Sequence, residues 1–119
     1  MTYKKNAAAK LTALSVHRLR ARRARLAKRL PDLELTLYGS LQTQGRRCGK
    51  QGCACARGQL HGPYVYLAVR SGQGSRLLYV TAQLVEDVTR RVEVTRRLEA
   101  ILVEISAINL ELLARGQLS

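Results

Sequence analysis

The sequence contains no tryptophan and no phenylalanine, and its five tyrosines are its only residues of the Phe, Trp and Tyr class. A hydrophobic core must therefore be built mainly from Leu, Val, Ile and Ala. A length of 119 residues indicates one domain with a modest core, to which a bound metal ion would add stability. We predict a single domain over residues 1–119.

Long hydrophobic runs are also missing. No segment approaches the roughly 20 apolar residues that a membrane-spanning helix needs, and the first 30 residues contain no apolar core of a signal peptide. Cysteine is scarce as well, with three residues between positions 48 and 55. We therefore expect a soluble protein of a prokaryotic cytoplasm, with no membrane partner.

Acidic residues are few, with 8 Asp and Glu against 21 Lys and Arg and a formal net charge of +13. Residues 1–31 contain ten basic residues and no acidic one, whereas residues 82–119 contain five and six. This asymmetry predicts a polyanion-binding N-terminal segment, and nucleic acid is the commonest polyanion. Because carboxylates are concentrated in the last segment and no nucleophile–base pair or phosphate loop is present, we expect no enzymatic activity.

The three cysteines lie in one glycine-rich stretch that also contains a histidine. Cys48, Cys53, Cys55 and His61 follow the pattern C-x4-C-x-C-x5-H. Three thiolates and one imidazole form a closed ligand set of the kind that binds structural zinc tetrahedrally. We therefore predict a structural Zn2+ ion at these four residues.

Two other interpretations of this stretch remain open at the level of sequence. The gaps of four residues and of one residue match no standard zinc-finger spacing. One alternative is that the cysteines are unrelated residues of a glycine-rich loop. The other is that Cys48 and Cys53 form a disulfide. A disulfide would leave one thiol unpaired and would suit a secreted chain, for which the sequence has no signal.

Residue patterning predicts an α+β fold: an N-terminal basic helix, a three-stranded antiparallel sheet with a zinc-binding loop between strands one and two, and a long C-terminal helix. The predicted helices and strands cover residues 7–30 (helix), 33–42, 64–70 and 76–81 (strands) and 82–113 (helix). Within the single domain, the basic helix occupies residues 1–31, the sheet residues 32–81, and a packing or dimerisation helix residues 82–119.

The N-terminal helix has a narrow leucine stripe and a wide cationic face. Like charges at i,i+4 oppose a helix, and bound phosphates would relieve their repulsion. Arginine outnumbers lysine here, and arginine is suited to bidentate contacts with phosphate and guanine. The alternative is a solvated face whose leucines pack on the sheet. The predicted nucleic-acid-binding residues of this helix are Arg18, Arg20, Arg22, Arg23, Arg25, Lys28 and Arg29.

The cysteine-containing loop also carries basic residues. Arg46, Arg47, Lys50 and Arg57 are interspersed among the predicted ligands, either for solubility or for contact with phosphates. Three tyrosines of the second and third strands have aromatic rings that can stack on bases, although packing in the sheet is the favoured interpretation for them. These tyrosines are Tyr64, Tyr66 and Tyr79.

The C-terminal helix is expected to begin behind Thr81 as N-cap and to end at Gly116. Its apolar seam has heptad spacing, which is explained equally well by packing within the chain or by a homodimer. Asn109 lies near the seam and would set the register of a coiled coil. The seam consists of Val94, Leu98, Ile101, Ile105, Ile108 and Leu112.

The segments GSL (residues 39–41), RCGK (47–50), GCACARG (52–58), HGPY (61–64) and SAINLELL (106–113) resemble a family of small prokaryotic proteins of unknown function that occur near mobile elements. The resemblance covers residues 39–113 and leaves the basic helix as a more individual addition. It implies that Cys48, Cys53, Cys55 and His61 form a shared unit, and that the chain takes part in DNA transactions of mobile elements.

Taken together, these patterns favour a non-enzymatic nucleic-acid-binding protein, with DNA preferred over RNA, that acts as an accessory or regulatory factor of a mobile element. Dimerisation through the last helix would present two basic helices to a duplex. The alternative is an adaptor in which zinc stabilises the fold and the basic surface binds an acidic partner protein.

Overall fold

A computed structural model describes residues 10–119 of the chain, except for the side chain of Ser71. The predicted fold class is confirmed: a basic helix precedes a three-stranded antiparallel sheet, and a long helix follows it. The elements are α1 (Val16–Ala27), β1 (Ser40–Arg46), β2 (His61–Ser71), β3 (Gly74–Val80) and α2 (Val85–Ala114), with short 3-10 turns at Leu33–Leu35, Ala54–Arg57 and Ala82–Leu84.

The chain forms two compact units. One unit comprises the residues up to Asp32 together with residues 96–119, and the other comprises residues 33–95. The long helix α2 therefore contributes its first part to the second unit and its remainder to the first. Within the described part of the chain, no helix combines the length and the apolar character that crossing a membrane requires.

The first unit has a core of leucine and isoleucine side chains. Its buried members come from α1, from the segment before α1 and from the second part of α2, and each buried leucine contributes roughly 1.5–3 kcal/mol. Packing within the chain therefore covers much of the heptad seam. The buried residues are Leu11, Leu19, Leu26, Ile101, Ile108 and Leu112.

The predicted first helix is interrupted. A continuous helix over residues 7–30 was expected; residues 10–12 are helical, but residues 13–15 are not. The helix α1 then begins after Ser15, whose side-chain oxygen accepts a hydrogen bond from the Arg18 N–H at 3.2 Å. Lys28 follows its last residue as C-cap. The hydroxyl of Ser15 competes for backbone donors and so favours a cap over a helix interior. Residues 7–9 of the expected helix lie outside the described residues.

The end of α2 is fixed by backbone and side-chain hydrogen bonds within the first unit. Gly116 has a positive φ of 69°, and Gln117 N–H donates to Leu112 O at 2.8 Å, as in a glycine-terminated helix. Arg115 donates to the carbonyl oxygens of Leu11 and Leu14 and pairs with Glu111 at 2.8 Å. The predicted role of Gly116 is confirmed.

The first strand was misplaced by the sequence pattern. A strand over residues 33–42 was expected, but Leu33–Leu35 forms a 3-10 turn, in which Thr36 N–H donates to Leu33 O. Leu37 N–H then donates to Thr95 Oγ1 at 2.7 Å. This backbone donor is therefore used by a helix side chain, and pairing with β2 begins only at Ser40.

The two faces of the sheet differ in composition. Leu67 and Val80 lie on the inner face, where they pack with Val92 of α2 in the core of the second unit. Tyr66 pairs with Tyr79 of β3 and with Gln42 of β1, so these three residues share the opposite face. The strands thus carry an aliphatic face toward α2 and an aromatic and amide face on the other side.

Candidate metal centre and the adjoining tyrosine surface

The four predicted ligands come together in the loop between β1 and β2. The ligand atoms of Cys48, Cys53, Cys55 and His61 all lie within 4.8 Å of one another. Cys48 Sγ is 3.5 Å from Cys55 Sγ, and Cys53 Sγ is 3.2 Å from His61 Nε2. Sulfurs bound tetrahedrally to zinc at about 2.3 Å would be about 3.8 Å apart. The cluster therefore matches the dimensions of a four-coordinate metal site.

The sheet and the loop turn position these ligands. An irregularity between Gln44 and Arg46 shifts the register, so that Arg46 pairs with His61 and the loop closes there. Cys53 precedes the 3-10 turn Ala54–Arg57, where its carbonyl oxygen accepts a hydrogen bond from the Ala56 N–H. Gly58 ends this turn with a φ of 98°, a conformation that favours glycine. The loop thereby folds back, so that Cys55 and His61 approach Cys48.

The hydrogen bonds around two of the sulfurs shift the pKa values of Cys53 and Cys48 in opposite directions. A backbone hydrogen bond from Cys55, followed by contacts with the Cys48 and Cys55 side chains, lowers the pKa of Cys53 to about 6. A backbone hydrogen bond from Lys50 lowers the pKa of Cys48, but the Cys53 and Cys55 side chains outweigh it, and the net pKa of Cys48 is raised. Metal binding would deprotonate all three thiols.

All three cysteines are free thiols, so the alternative of a Cys48–Cys53 disulfide is not realised. Cys55 is only 1% exposed, whereas His61 lies at the surface. Four protein ligands fill a tetrahedral shell and leave no open position for a substrate. Over residues 10–119 this is the one group of three or more His, Cys, Asp or Glu side chains that can hold a metal ion.

The basic residues of the loop surround the cluster at the surface. Arg46, Arg47, Lys50 and Arg57 are all exposed. The guanidinium carbon of Arg46 lies 4.8 Å from the ring centre of Tyr66, within the range of a cation–π contact. The predicted basic residues of the loop are therefore available to a ligand, and one of them is held against an aromatic ring.

An open depression of about 510 Å³ lies beside the metal cluster, and we call it the tyrosine depression. Tyr79 is 56% exposed, whereas Tyr66 is 7% exposed and Tyr64 is half-buried. The Tyr79 ring meets the Tyr64 and Tyr66 rings edge-on, at centroid distances of 6.2 and 5.7 Å. The depression is lined by Arg46, Arg47, Cys48, His61, Tyr64, Tyr66 and Tyr79.

These tyrosines were not among the site residues predicted from the sequence. Packing in the sheet was the favoured interpretation, and it fits Tyr64 and Tyr66 but is wrong for Tyr79. The available signal was alternation, because Tyr64 and Tyr66 fall on one face of a strand. The position of Tyr79 on that face depends on the pairing register with β3, which the sequence alone does not fix.

The predicted basic residues of α1 and of the two positions after it divide into two groups. Arg18, Arg25, Lys28 and Arg29 are exposed and Arg22 is half-buried, as a phosphate-binding face requires. Arg20 and Arg23 instead contact the C-terminal part of their own unit. Arg23 Nη1 donates to Asn109 Oδ1 at 2.7 Å, and Arg20 Nη2 donates to Gln117 O at 3.2 Å. Asn109 is therefore a partner of Arg23 in this structure.

Comparisons with curated proteins and with solved structures found no match. A family model described as a domain of unknown function, DUF6788, matches residues 16–90. The matched range includes α1, the three strands and all four cluster residues, and it ends before residues 106–113. The resemblance was expected over residues 39–113, whereas the family model begins 23 residues earlier and ends 23 residues earlier. Because the match covers more than half of the chain, the protein belongs to the DUF6788 family.

Proposed function

We propose that this protein is a non-enzymatic nucleic-acid-binding protein, with DNA preferred over RNA, whose second unit is stabilised by a structural zinc ion. The main support for the proposal is the set of exposed basic residues in the loop that contains the metal ligands. Arg46 and Arg47 line the tyrosine depression, and its lining contains no acidic side chain. A surface of this composition attracts phosphates and offers aromatic rings to bases.

Zinc is the metal proposed for the cluster because three thiolates and an imidazole form a ligand set typical of structural zinc. The ion would hold Cys48 and His61, which also border the tyrosine depression. Folding of the loop and presentation of Arg46 and Arg47 would then depend on the same ion, because a structural zinc site contributes folding free energy.

The basic side of α1 supplies a second set of phosphate contacts in the proposal. Arg18, Arg22 and Arg25 recur at helical spacing, so they share one side of α1. Arg29 follows the C-cap residue Lys28 at the end of the helix. DNA is preferred because arginine, which dominates this helix, makes bidentate contacts with guanine in the major groove of DNA, whereas the major groove of RNA is too narrow.

The test is a salt titration of DNA binding by the zinc-loaded protein. Each phosphate contact should contribute about 0.9 to the slope of log affinity against log salt on duplex DNA. Arg47→Gln with Lys50→Gln should lower both the affinity and this slope. The matched control is Arg70→Gln with Arg76→Gln, which removes the same charge from exposed positions outside the depression and should change the slope less.

The proposal fails if binding is insensitive to salt between about 50 and 200 mM. It also fails if the loop pair and the control pair have equal effects, because net charge alone would then explain the binding. Elemental analysis of the purified protein tests the metal assignment separately, with one zinc per chain as the expected result.

A protein-interaction adaptor is the second candidate, and one observation favours it. Leu102, Leu110 and Leu113 of α2 are between 55% and 59% exposed. Leu110 and Leu113 are neighbours at i,i+3, and Leu102 lies on the same side about three turns before Leu113. An acidic partner with an apolar patch would fit such a chain. Replacing Leu102, Leu110 and Leu113 with Gln should leave DNA binding unchanged under the first proposal and weaken capture of the partner under the second.

A further inference from the structure

We propose that the tyrosine depression binds an unpaired base of a single-stranded nucleic acid, with the Tyr79 ring as its stacking surface. This inference rests on the proposed function and names the form of nucleic acid that the second unit recognises. Bases of a duplex are stacked on their neighbours, so an exposed aromatic ring can stack only on a base that has left the helix or belongs to a single strand.

The position of the rings supports this assignment. Tyr64, Tyr66 and Tyr79 lie on the face of the sheet opposite to the Leu67 and Val80 core. Among the described residues of the second unit, the buried core lies on the other face, where Val85, Val88 and Val92 of α2 pack. Tyr79, on β3, is 56% exposed.

The three rings have different surroundings. Tyr66 is covered by the Arg46 guanidinium at 4.8 Å and by Tyr79, and is 7% exposed. Tyr79 makes T-shaped contacts with its neighbours, with interplanar angles of 73° and 61°. Its ring is the most exposed of the three, so Tyr79 is the stacking surface and Tyr64 and Tyr66 support it.

The charges of the depression suit the backbone of a single strand. Arg46 and Arg47 reach it from the end of β1, where their guanidinium groups can donate to phosphates on either side of the stacked base. Its volume of about 510 Å³ lies in the usual range for small-molecule sites, about 300–1,000 Å³. Cys48 and His61 belong to the proposed metal site, so few polar groups of the depression remain to hydrogen-bond with the edge of a base. Binding should therefore tolerate different base sequences.

The experiment compares single-stranded and duplex DNA on the full zinc-loaded chain by fluorescence anisotropy. Tyr79→Leu should weaken binding of a labelled oligothymidylate by about fivefold to 150-fold, the range for loss of one stacked base, and should spare duplex binding. Tyr79→Phe should retain binding because the ring remains. Tyr38→Leu is the matched control, because Tyr38 is 66% exposed in the same unit but does not line the depression.

A second readout uses the absence of tryptophan from the chain, which leaves tyrosine as the intrinsic fluorophore. Oligothymidylate should quench the tyrosine emission of the wild-type protein, and Tyr79→Leu should remove most of this quenching. An oligouridylate of equal length shows whether the site also accepts RNA, and equal binding of both would mean that the site reads single strands irrespective of the sugar.

Two results would overturn the inference: no loss of oligothymidylate affinity in Tyr79→Leu, or an equal loss on duplex and single strand. If Tyr79→Leu fails to retain zinc, the wild-type quenching decides, and its absence overturns the inference. Failure of the proposed function is a different result, because the wild-type protein would then bind neither duplex nor single-stranded nucleic acid.

Discussion

Cys55 is the buried residue of the candidate metal site. Its side chain is 1% exposed, and its sulfur accepts a hydrogen bond from the Cys48 backbone N–H at 3.3 Å. Hydrogen bonds to a sulfur stabilise its thiolate form and orient it toward a metal ion. Cys53 and His61 close the cluster from the surface. A metal ion would therefore join a buried thiol to the exposed start of β2, and so connect the loop to the sheet.

The shifted pKa values of Cys48 and Cys53, together with the burial of Cys55, predict the order in which the thiols react in the metal-free protein. Cys53, with its pKa lowered to about 6, is mainly thiolate at neutral pH, whereas the raised pKa of Cys48 keeps that residue protonated. Because the thiolate is the nucleophile, iodoacetamide should alkylate Cys53 first, and Cys55 should be protected by burial. Mass spectrometry of partly alkylated protein gives the order.

The pH dependence of this reaction has a definite sign. Lowering the pH through about 6 protonates Cys53 and should slow its alkylation, whereas the rate should be nearly constant between pH 7 and the range in which Cys48 begins to react. Zinc-loaded protein is the control, since coordination should protect all three cysteines. Faster reaction of Cys48 than of Cys53 would contradict the hydrogen-bonding pattern of the loop.

How far a residue's role could be predicted depended on where its partners lie. The cluster ligands fall within fourteen consecutive positions, so their spacing identified them as a candidate metal site. Arg23 has its partner Asn109 at a separation of 86 positions, and no local pattern indicates such a pair. The sequence grouped Arg20 and Arg23 with the other helix arginines because they share its composition, although their hydrogen bonds lie within the first unit.

At the scale of elements, the order of helices and strands was predictable and two boundaries were not. Alternating leucines at positions 33, 35 and 37 resembled a strand, but the Leu33–Leu35 turn and the Thr95 hydroxyl take up backbone groups that a strand would use. The tertiary partner therefore outweighed the local pattern. The hairpin of β2 and β3 was predicted almost to its ends, because the SGQGS turn between them is a local signal.

The N-terminus of α1 provides a test at this scale. Ser15→Ala removes the side-chain oxygen that accepts from the Arg18 N–H, and loss of such a cap costs about 1 kcal/mol. Thermal or urea unfolding of the zinc-loaded protein should show this decrease. Ser15→Asp should preserve stability, because a carboxylate also accepts the hydrogen bond and interacts favourably with the helix dipole. An unchanged stability in Ser15→Ala would mean that the cap contributes nothing.

At the scale of the whole molecule, the two compact units carry different candidate binding residues. The first unit, formed by both ends of the described chain, has a core of leucine and isoleucine and carries the arginines of α1. The second contains the sheet, the metal cluster and the tyrosine depression. The sequence predicted one domain and three consecutive segments, a description that its local patterns allow. The discontinuous first unit depends on long-range packing that these patterns do not encode.

This division predicts an uneven response to metal removal. The second unit has a small core around Leu67, Val80 and Val92, and a metal site contributes most where the hydrophobic core is small. Treating the zinc-loaded protein with a chelator should raise amide hydrogen exchange in the loop and in β2 far more than in α1, as measured by mass spectrometry.

Protons compete with zinc for the thiolates and the imidazole, so acidification should produce the same pattern in the protein without chelator. Readdition of zinc is the control and should restore protection. An equal rise of exchange in α1 and β2 would show that the ion stabilises both units together, and no rise at all would remove the cluster as a structural element of the fold.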